Sequence, residues 1–131
     1  MMKNEVSMLK ALAEPTRLRL AILLALKGET CVCELAAALA APEFRISRHL
    51  GIMKDRGLVE ARRQGTWMHY RLAPPRTKLE ACLQECFHDC LANHPTIVAD
   101  LLRLQTRNTQ RHTCCAENTA KSKPDKKEKL S

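Results

Sequence analysis

A mainly α-helical fold carrying one β-hairpin is what this 131-residue sequence predicts. Three observations carry the prediction. Apolar residues recur at helical spacing over most of the chain. The period changes to two only near residues 58–72. A basic helical segment follows another helix across a short break, "APEF". The length suits one domain, at the usual size of about 100–200 residues per domain.

The elements follow in order. Val6, Leu9, Leu12 and Ala13 make a short amphipathic helix. Pro15 suits a first helical position. "PTRLRLAILLAL" follows, with Leu18, Ile22, Leu23 and Leu26 at helical spacing and Gly28 placed to end it. Thr30 is the expected N-cap of the next helix, "CVCELAAALA". After the break, "RISRHLGIMKDRG" resumes the period. Ile46, Leu50 and Met53 form its inner stripe and Gly57 ends it. Two helices joined by a short turn, the second basic, make a helix-turn-helix candidate.

"LVEARRQGTWMHYRLAP" then alternates as strands do, turning around Gln64-Gly65, with Trp67, Tyr70 and Leu72 as strand-favouring side chains. This gives a hairpin with Arg62, Arg63 and Gln64 at its tip, ended by Pro74-Pro75. A final helical section, "TKLEACLQECFHDCLAN", carries Leu79, Leu83, Cys86 and Cys90 on one stripe. Pro95 restarts a shorter helix through Val98, Leu101 and Leu102. The order is that of a winged helix-turn-helix, the hairpin being the wing. Residues 1–105 form this domain. Residues 106–131 form a polar, Lys-rich tail that contains Cys114-Cys115 and is expected to be flexible.

Charge points to the partner. The formal net charge is +8, from 22 Lys and Arg against 14 Asp and Glu. Residues 44–71 hold seven of the basic residues and two of the acids, and residues 105–131 hold seven and three. A surplus so concentrated suits a polyanion, and double-stranded DNA is the expected partner. A basic helix fits the major groove, about 12 Å wide. Arg45, Arg48 and His49 point away from the inner stripe, and Ser47 lies near its edge. With Arg62, Arg63 and Gln64 on the wing they form the expected DNA-binding surface, the plain alternative being a solvated charged face. Binding through phosphates would be steeply salt-dependent.

No window approaches the roughly 18 apolar residues of a membrane span, and the first residues hold no apolar stretch long enough for a signal peptide. A soluble, cytoplasmic protein without a membrane partner is expected. With no Gly-rich phosphate loop and no paired carboxylates, an enzyme is not.

Seven cysteines remain to be explained. An odd number in a reducing compartment does not suit a disulfide framework, which leaves packing, metal or metalloid binding, or redox chemistry. Cys31 and Cys33 fall in the first turn of the helix that begins after Thr30. There the partial positive charge of a helix N-terminus favours thiolates, and thiolates suit soft centres. On a regular helix residues i and i+2 stand about 200° apart, so both sulfurs gripping one atom would distort that turn. Cys82, Cys86 and Cys90 follow at i, i+4 and i+8. The outer two are about 12 Å apart along a helix, too far to share one ion. Small apolar packing is their plainer role.

"LKALAEPTRLRLAILL", "ETCVCEL" and "ISRHLGIMKDRGLVEARRQGTWMHYRL" together resemble the arsenic-responsive repressor (ArsR) family of winged-helix metalloregulators, over residues 8–72. The resemblance implies a homodimeric repressor of an arsenic-resistance operon, its first and last helices pairing the subunits. It implies release from operator DNA when trivalent arsenic (arsenite) or antimony binds as inducer, with no permanent cofactor. It places the inducer's ligands at Cys31 and Cys33. One version of the motif has a third cysteine three residues later, where this chain has Ala36. Either a third thiolate comes from elsewhere, with Cys114 or Cys115 as candidates, or the site makes do with two thiols and an exogenous ligand. Pro42 stands where the family often has a serine-like cap. His88, Asp89, His94 and Asp100 do not match the spacing of the family's zinc-sensing branch. A sensor of a soft divalent ion such as cadmium or lead remains an alternative reading, as does a thiol redox-sensing regulator or oxidoreductase.

Overall fold

The computed structural model describes residues 2–106. Its elements are α1 (Met2–Leu12), α2 (Pro15–Lys27), β1 (Thr30–Cys31), α3 (Val32–Leu39), α4 (Glu43–Asp55), β2 (Val59–Gln64), β3 (Trp67–Leu72) and α5 (Lys78–Asp89). A last helix, α6, covers residues 95–106. This is the expected winged helix-turn-helix, with one strand more than the sequence suggested.

Central to the core is α2. Glu14 caps it, accepting a hydrogen bond from the Arg17 N–H at 2.9 Å, and Pro15 opens it. Leu20, Ala21, Ile22, Leu23 and Leu24 are all buried, so the helix is covered on more than one side. The expected stripe is fully buried only at its middle, Ile22 and Leu23, while Leu18 and Leu26 at its ends are partly buried against the core. Gly28 ends the helix at φ +78°, a conformation open to glycine at little cost.

The helix-turn-helix turns at Ala40, whose φ of +54° is left-handed, and the Ala41 N–H donates to the Ala36 carbonyl at 3.0 Å. Pro42 then precedes α4 without a side-chain cap. Ile46, Leu50 and Met53 are fully buried and anchor α4 to the core.

The sheet has the order β1-β3-β2, both pairings antiparallel. Gln64 opposes Trp67, so the hairpin loop is Gly65-Thr66, one residue later than expected, with Gly65 at φ +63°. On β1, Thr30 opposes Tyr70 and Cys31 opposes His69. A two-residue strand carries too short an alternation to be read from sequence.

On α5 the inner side is Leu83 and Phe87, while Leu79, Cys82 and Cys90 are exposed and Cys86 is half-buried. Along the expected stripe, Leu83 and Cys86 are thus half-buried in the single chain, while Leu79 and Cys90 at its ends are exposed. Helix α6 is tied down by Asp100, which is fully buried. Arg19 donates to it from Nε at 2.9 Å and Nη2 at 2.7 Å, and Arg103 from Nη2 at 2.7 Å. Arg103 also donates to the Ala38 carbonyl at 2.7 Å, joining α6 to α3. A buried carboxylate is tolerable when paired this fully. Met2, Val6 and Leu9 on α1, Leu79 on α5, and Val98 and Leu102 on α6 leave apolar side chains exposed. Among the described residues no helix is long and apolar enough to cross a membrane.

Candidate nucleic-acid interface and thiol site

On α4, Arg45, Ser47 and Arg48 are exposed. His49 is not on that open face. Its side chain is 17% exposed, with Nδ1 3.2 Å from Arg17 Nη1 and 4.0 Å from Glu14 Oε1. At 100° per residue it stands only about 70° from the centre of the Ile46/Leu50/Met53 stripe, close enough to be drawn against α2. Sequence reasoning overlooked Phe44, the second residue of α4, which is 67% exposed. A large apolar side chain beside three polar ones at a helix start was the available signal.

The wing residues do not share one surface either. Successive residues of a strand face opposite sides of a sheet. Arg62 opposes His69, while Arg63 opposes Met68. Arg62 lies toward the β1 side, where its Nε donates to Glu29 Oε2 at 2.9 Å, its Nη2 also reaches that oxygen, and Nη2 donates to Gln64 Oε1 at 3.2 Å. Hydrogen bonds from Arg62 hold the Glu29 carboxyl below its ordinary pKa, with His69 and Arg71 acting the same way and burial opposing. Arg63 and Gln64 are exposed.

The thiol site differs from its expectation in one decisive respect. The Thr30 hydroxyl donates back to the Gly28 carbonyl at 2.8 Å and caps nothing. Thr30 and Cys31 are instead extended and paired to β3. Cys31, at φ −72° and ψ 146°, is the N-cap of α3, and Cys33 is its second residue. The Cys31 N–H donates to Glu34 Oε1 at 3.0 Å, as in a capping box. Because Cys31 lies outside the helix, the 200° separation does not apply. The two sulfurs are 3.1 Å apart, and both residues are buried. Two bonds of about 2.3 Å from one thiophilic centre would span about 3.3 Å at a right angle and about 3.8 Å at a tetrahedral one. The pair is thus close to a chelating geometry before any ligand arrives. Distortion of the helix is not needed to bring the sulfurs together.

Ala36, in the place of a third cysteine, is buried about one turn further along α3. Among the described residues no group of three or more His, Cys, Asp or Glu side chains is placed to hold a metal ion. Cys114 and Cys115 lie outside the described residues. The other candidates are engaged elsewhere. His88 contacts Asp89 at 3.2 Å, His94 Nδ1 accepts from the Thr96 N–H at 3.1 Å, and Asp100 holds its two arginines. The Cys86 thiol is held above its ordinary pKa first by a hydrogen bond with Cys90 and then by burial.

Comparison with known proteins agrees with this architecture. The profile described as "Bacterial regulatory protein, arsR family" matches residues 14–61. The arsenical resistance operon repressor of Escherichia coli is 46% identical over 69 residues, 53% of this chain and 59% of that protein. The arsenic resistance transcriptional regulator ArsR2 of Pseudomonas putida is 38% identical over 110 residues, 81% of this chain and 93% of that one. Among solved structures, a homodimeric winged helix-turn-helix DNA-binding domain from Mycobacterium bovis, a possible ArsR-family regulator, superposes with a TM-score of 0.57 at 36% identity, over 72% of this chain and 87% of its own. The antimony-specific transcriptional repressor AntR superposes with a TM-score of 0.53 at 36% identity, covering 61% and 69%.

Proposed function

This chain belongs to the bacterial arsR family of regulatory proteins, and we propose that it is a homodimeric, DNA-binding repressor released from its operator when trivalent arsenic or antimony is taken by Cys31 and Cys33. The observation that carries this reading is the buried sulfur pair, 3.1 Å apart at the start of the helix that precedes α4. Arsenic-resistance regulators among its relatives and the antimony-specific AntR support the choice of inducer. The protein is a cytoplasmic regulator and not an enzyme. Arg45, Ser47 and Arg48 meet the major groove, His49 supports them from the side, and Arg62, Arg63 and Gln64 reach the flanking backbone. The exposed apolar residues of α1, α5 and α6 form the contact between two copies, which sets the spacing of the two recognition helices on an operator.

Each thiol gives up its proton as its sulfur replaces a hydroxyl of the trivalent centre, which leaves as water. The N-terminus of α3 favours the thiolate that forms each bond. Since the sulfurs already meet, the work of binding lies in opening an enclosed site and settling its first turn around the ligand, and α3 packs on α4. Couplings of this kind are typically about 1–3 kcal/mol, a 5–150-fold change in affinity. A fluorescence-anisotropy titration on the protein's own promoter fragment tests the reading. Cys31→Ser and Cys33→Ser should keep operator affinity and lose the arsenite response. Full release of the double variant would place the site elsewhere. The same titration after truncation at Gln110 reads whether Cys114 or Cys115 supplies the third thiolate. Cadmium and lead, which suit the same sulfurs, are its competing arms.

A further inference from the structure

The segment that holds Cys31 is also part of the wing. β1 is the third strand of the sheet, and Cys31, His69 and Arg62 oppose one another in a row across β1, β3 and β2. Side chains in such a row share one face of the sheet. Glu29, at the bend that leads into β1 two residues before Cys31, closes the row by its ion pair with Arg62. The thiol site therefore has two attachments to the wing, the β1–β3 backbone ladder and the Glu29–Arg62 pair. Both ends of the pair are substantially solvent-exposed, and exposed ion pairs add little to stability. Its consequence is positional: it fixes an arginine of the DNA-facing wing to the chain that leads directly into the sulfurs.

Resting on the thiol-site reading above, we propose that Glu29 is the positioning residue through which ligation of Cys31 and Cys33 reaches DNA, by moving Arg62 and the wing. When the first turn of α3 settles around a ligand, Cys31 shifts with it. Glu29 shifts with Cys31 and carries the Arg62 guanidinium away from the phosphate it faces. The recognition helix, anchored by three fully buried residues, need not move for affinity to fall.

The experiment uses the full chain with arsenite as probe and three readouts: thiolate–arsenic absorbance, anisotropy on promoter DNA, and emission of Trp67. Trp67 is the single tryptophan and begins β3 opposite Gln64. Wild-type protein and Cys31→Ser/Cys33→Ser are measured first. If wild type shows no thiolate–arsenic absorbance, or the serine variant keeps it, the thiol reading itself falls, before Glu29 is touched. Given that binding, Glu29→Gln should take up arsenite with unchanged stoichiometry and hold operator at least as tightly as wild type. Its arsenite-driven loss of affinity should be at least fivefold smaller, and the arsenite-induced change in Trp67 emission should disappear. Arg62→Gln cuts the same link from the other side. Its starting affinity will be lower, but its fold-release should shrink as in Glu29→Gln, and the double variant should shrink no further. Wild-type release from Glu29→Gln overturns the proposal, as does additive loss in the double variant. Failure of Glu29→Gln to bind arsenite also overturns it, since Glu29 would then belong to the site and not to the link.

Discussion

The recognition helix and the wing, which the proposed reading sets against the same nucleic acid, are held by different forces. Helix α4 is fixed from behind. Ile46, Leu50 and Met53 are fully buried, while among the described residues Arg45 and Arg48 enter no ion pair. The wing is fixed from the side, by backbone pairing to β1 and by the ion pair Arg62–Glu29, and braced within by Arg71–Glu60. Apolar packing is indifferent to a ligand elsewhere, because moving a packed stripe opens cavities that cost several kcal/mol. Ion pairs at the surface can rearrange at little cost. On the proposed reading, α4 supplies affinity and the wing makes that affinity adjustable.

The contrast is tested most severely on α4. Replacing Arg45 and Arg48 together by alanine should lower operator affinity about a hundredfold, since each good base or phosphate contact carries about 1–3 kcal/mol. The salt dependence should flatten by a slope of about 0.9 for every phosphate that is no longer neutralised. Arsenite should still weaken what binding remains by the wild-type factor, measured as the ratio of dissociation constants with and without arsenite at two salt concentrations. A collapse of that ratio would mean that α4 carries the signal as well as the affinity.

Sequence reading serves the two elements unequally, for a physical reason. Periodicity at 3.6 residues exposes the α4 stripe directly, because a helix packs through residues close in sequence. The same rule places Arg45, Ser47 and Arg48 on its outer side. What it misses depends on contacts between distant segments. Thr30 is among the best N-cap residues, yet pairing of β1 with β3, some forty residues later, pulls it into a strand and hands the cap to Cys31. That one shift turns a pair of sulfurs expected to diverge into a convergent one. The Glu29–Arg62 pair spans 33 residues and has no local signature at all. His49 escapes the rule because its angle on the helix is intermediate, and only the position of Arg17 and Glu14 decides which way it leans.

Phe44 gives a smaller test on the same helix. It is exposed beside Arg45, at the end of α4 that would enter the groove first. Apolar contact with a thymine methyl is a common way to read an A·T pair. Phe44→Ala should weaken operator binding about fivefold, near the 1 kcal/mol expected for burying roughly one methyl group. On operator DNA with uracil in place of thymine, wild type and variant should bind alike. Equal loss on both duplexes would assign Phe44 to general packing against the sugar-phosphate surface, leaving readout to the polar residues.

The smallest expected effect is the most discriminating within the wing. Arg71 donates to Glu60 Oε1 from Nε at 3.0 Å and from Nη2 at 2.8 Å, directly across β2 and β3. Its pair is as well formed as that of Arg62 and more exposed, at 59% and 46% of the two side chains. It also acts on Glu29 electrostatically, as the weakest of the influences on that carboxyl. Yet its hydrogen bonds lie wholly inside the hairpin, and none reaches the chain leading into Cys31. Arg71→Ala should therefore cost about 0–1 kcal/mol of stability, as exposed pairs do. That is a fall in melting temperature of at most about 4–8 °C for a domain of this size. Release by arsenite should stay at its wild-type value. If Arg71→Ala instead blunts release as Glu29→Gln is expected to, then the charge of the whole hairpin transmits the signal. The distinction between a pair that joins the wing to the sulfurs and a pair that merely braces it would then disappear.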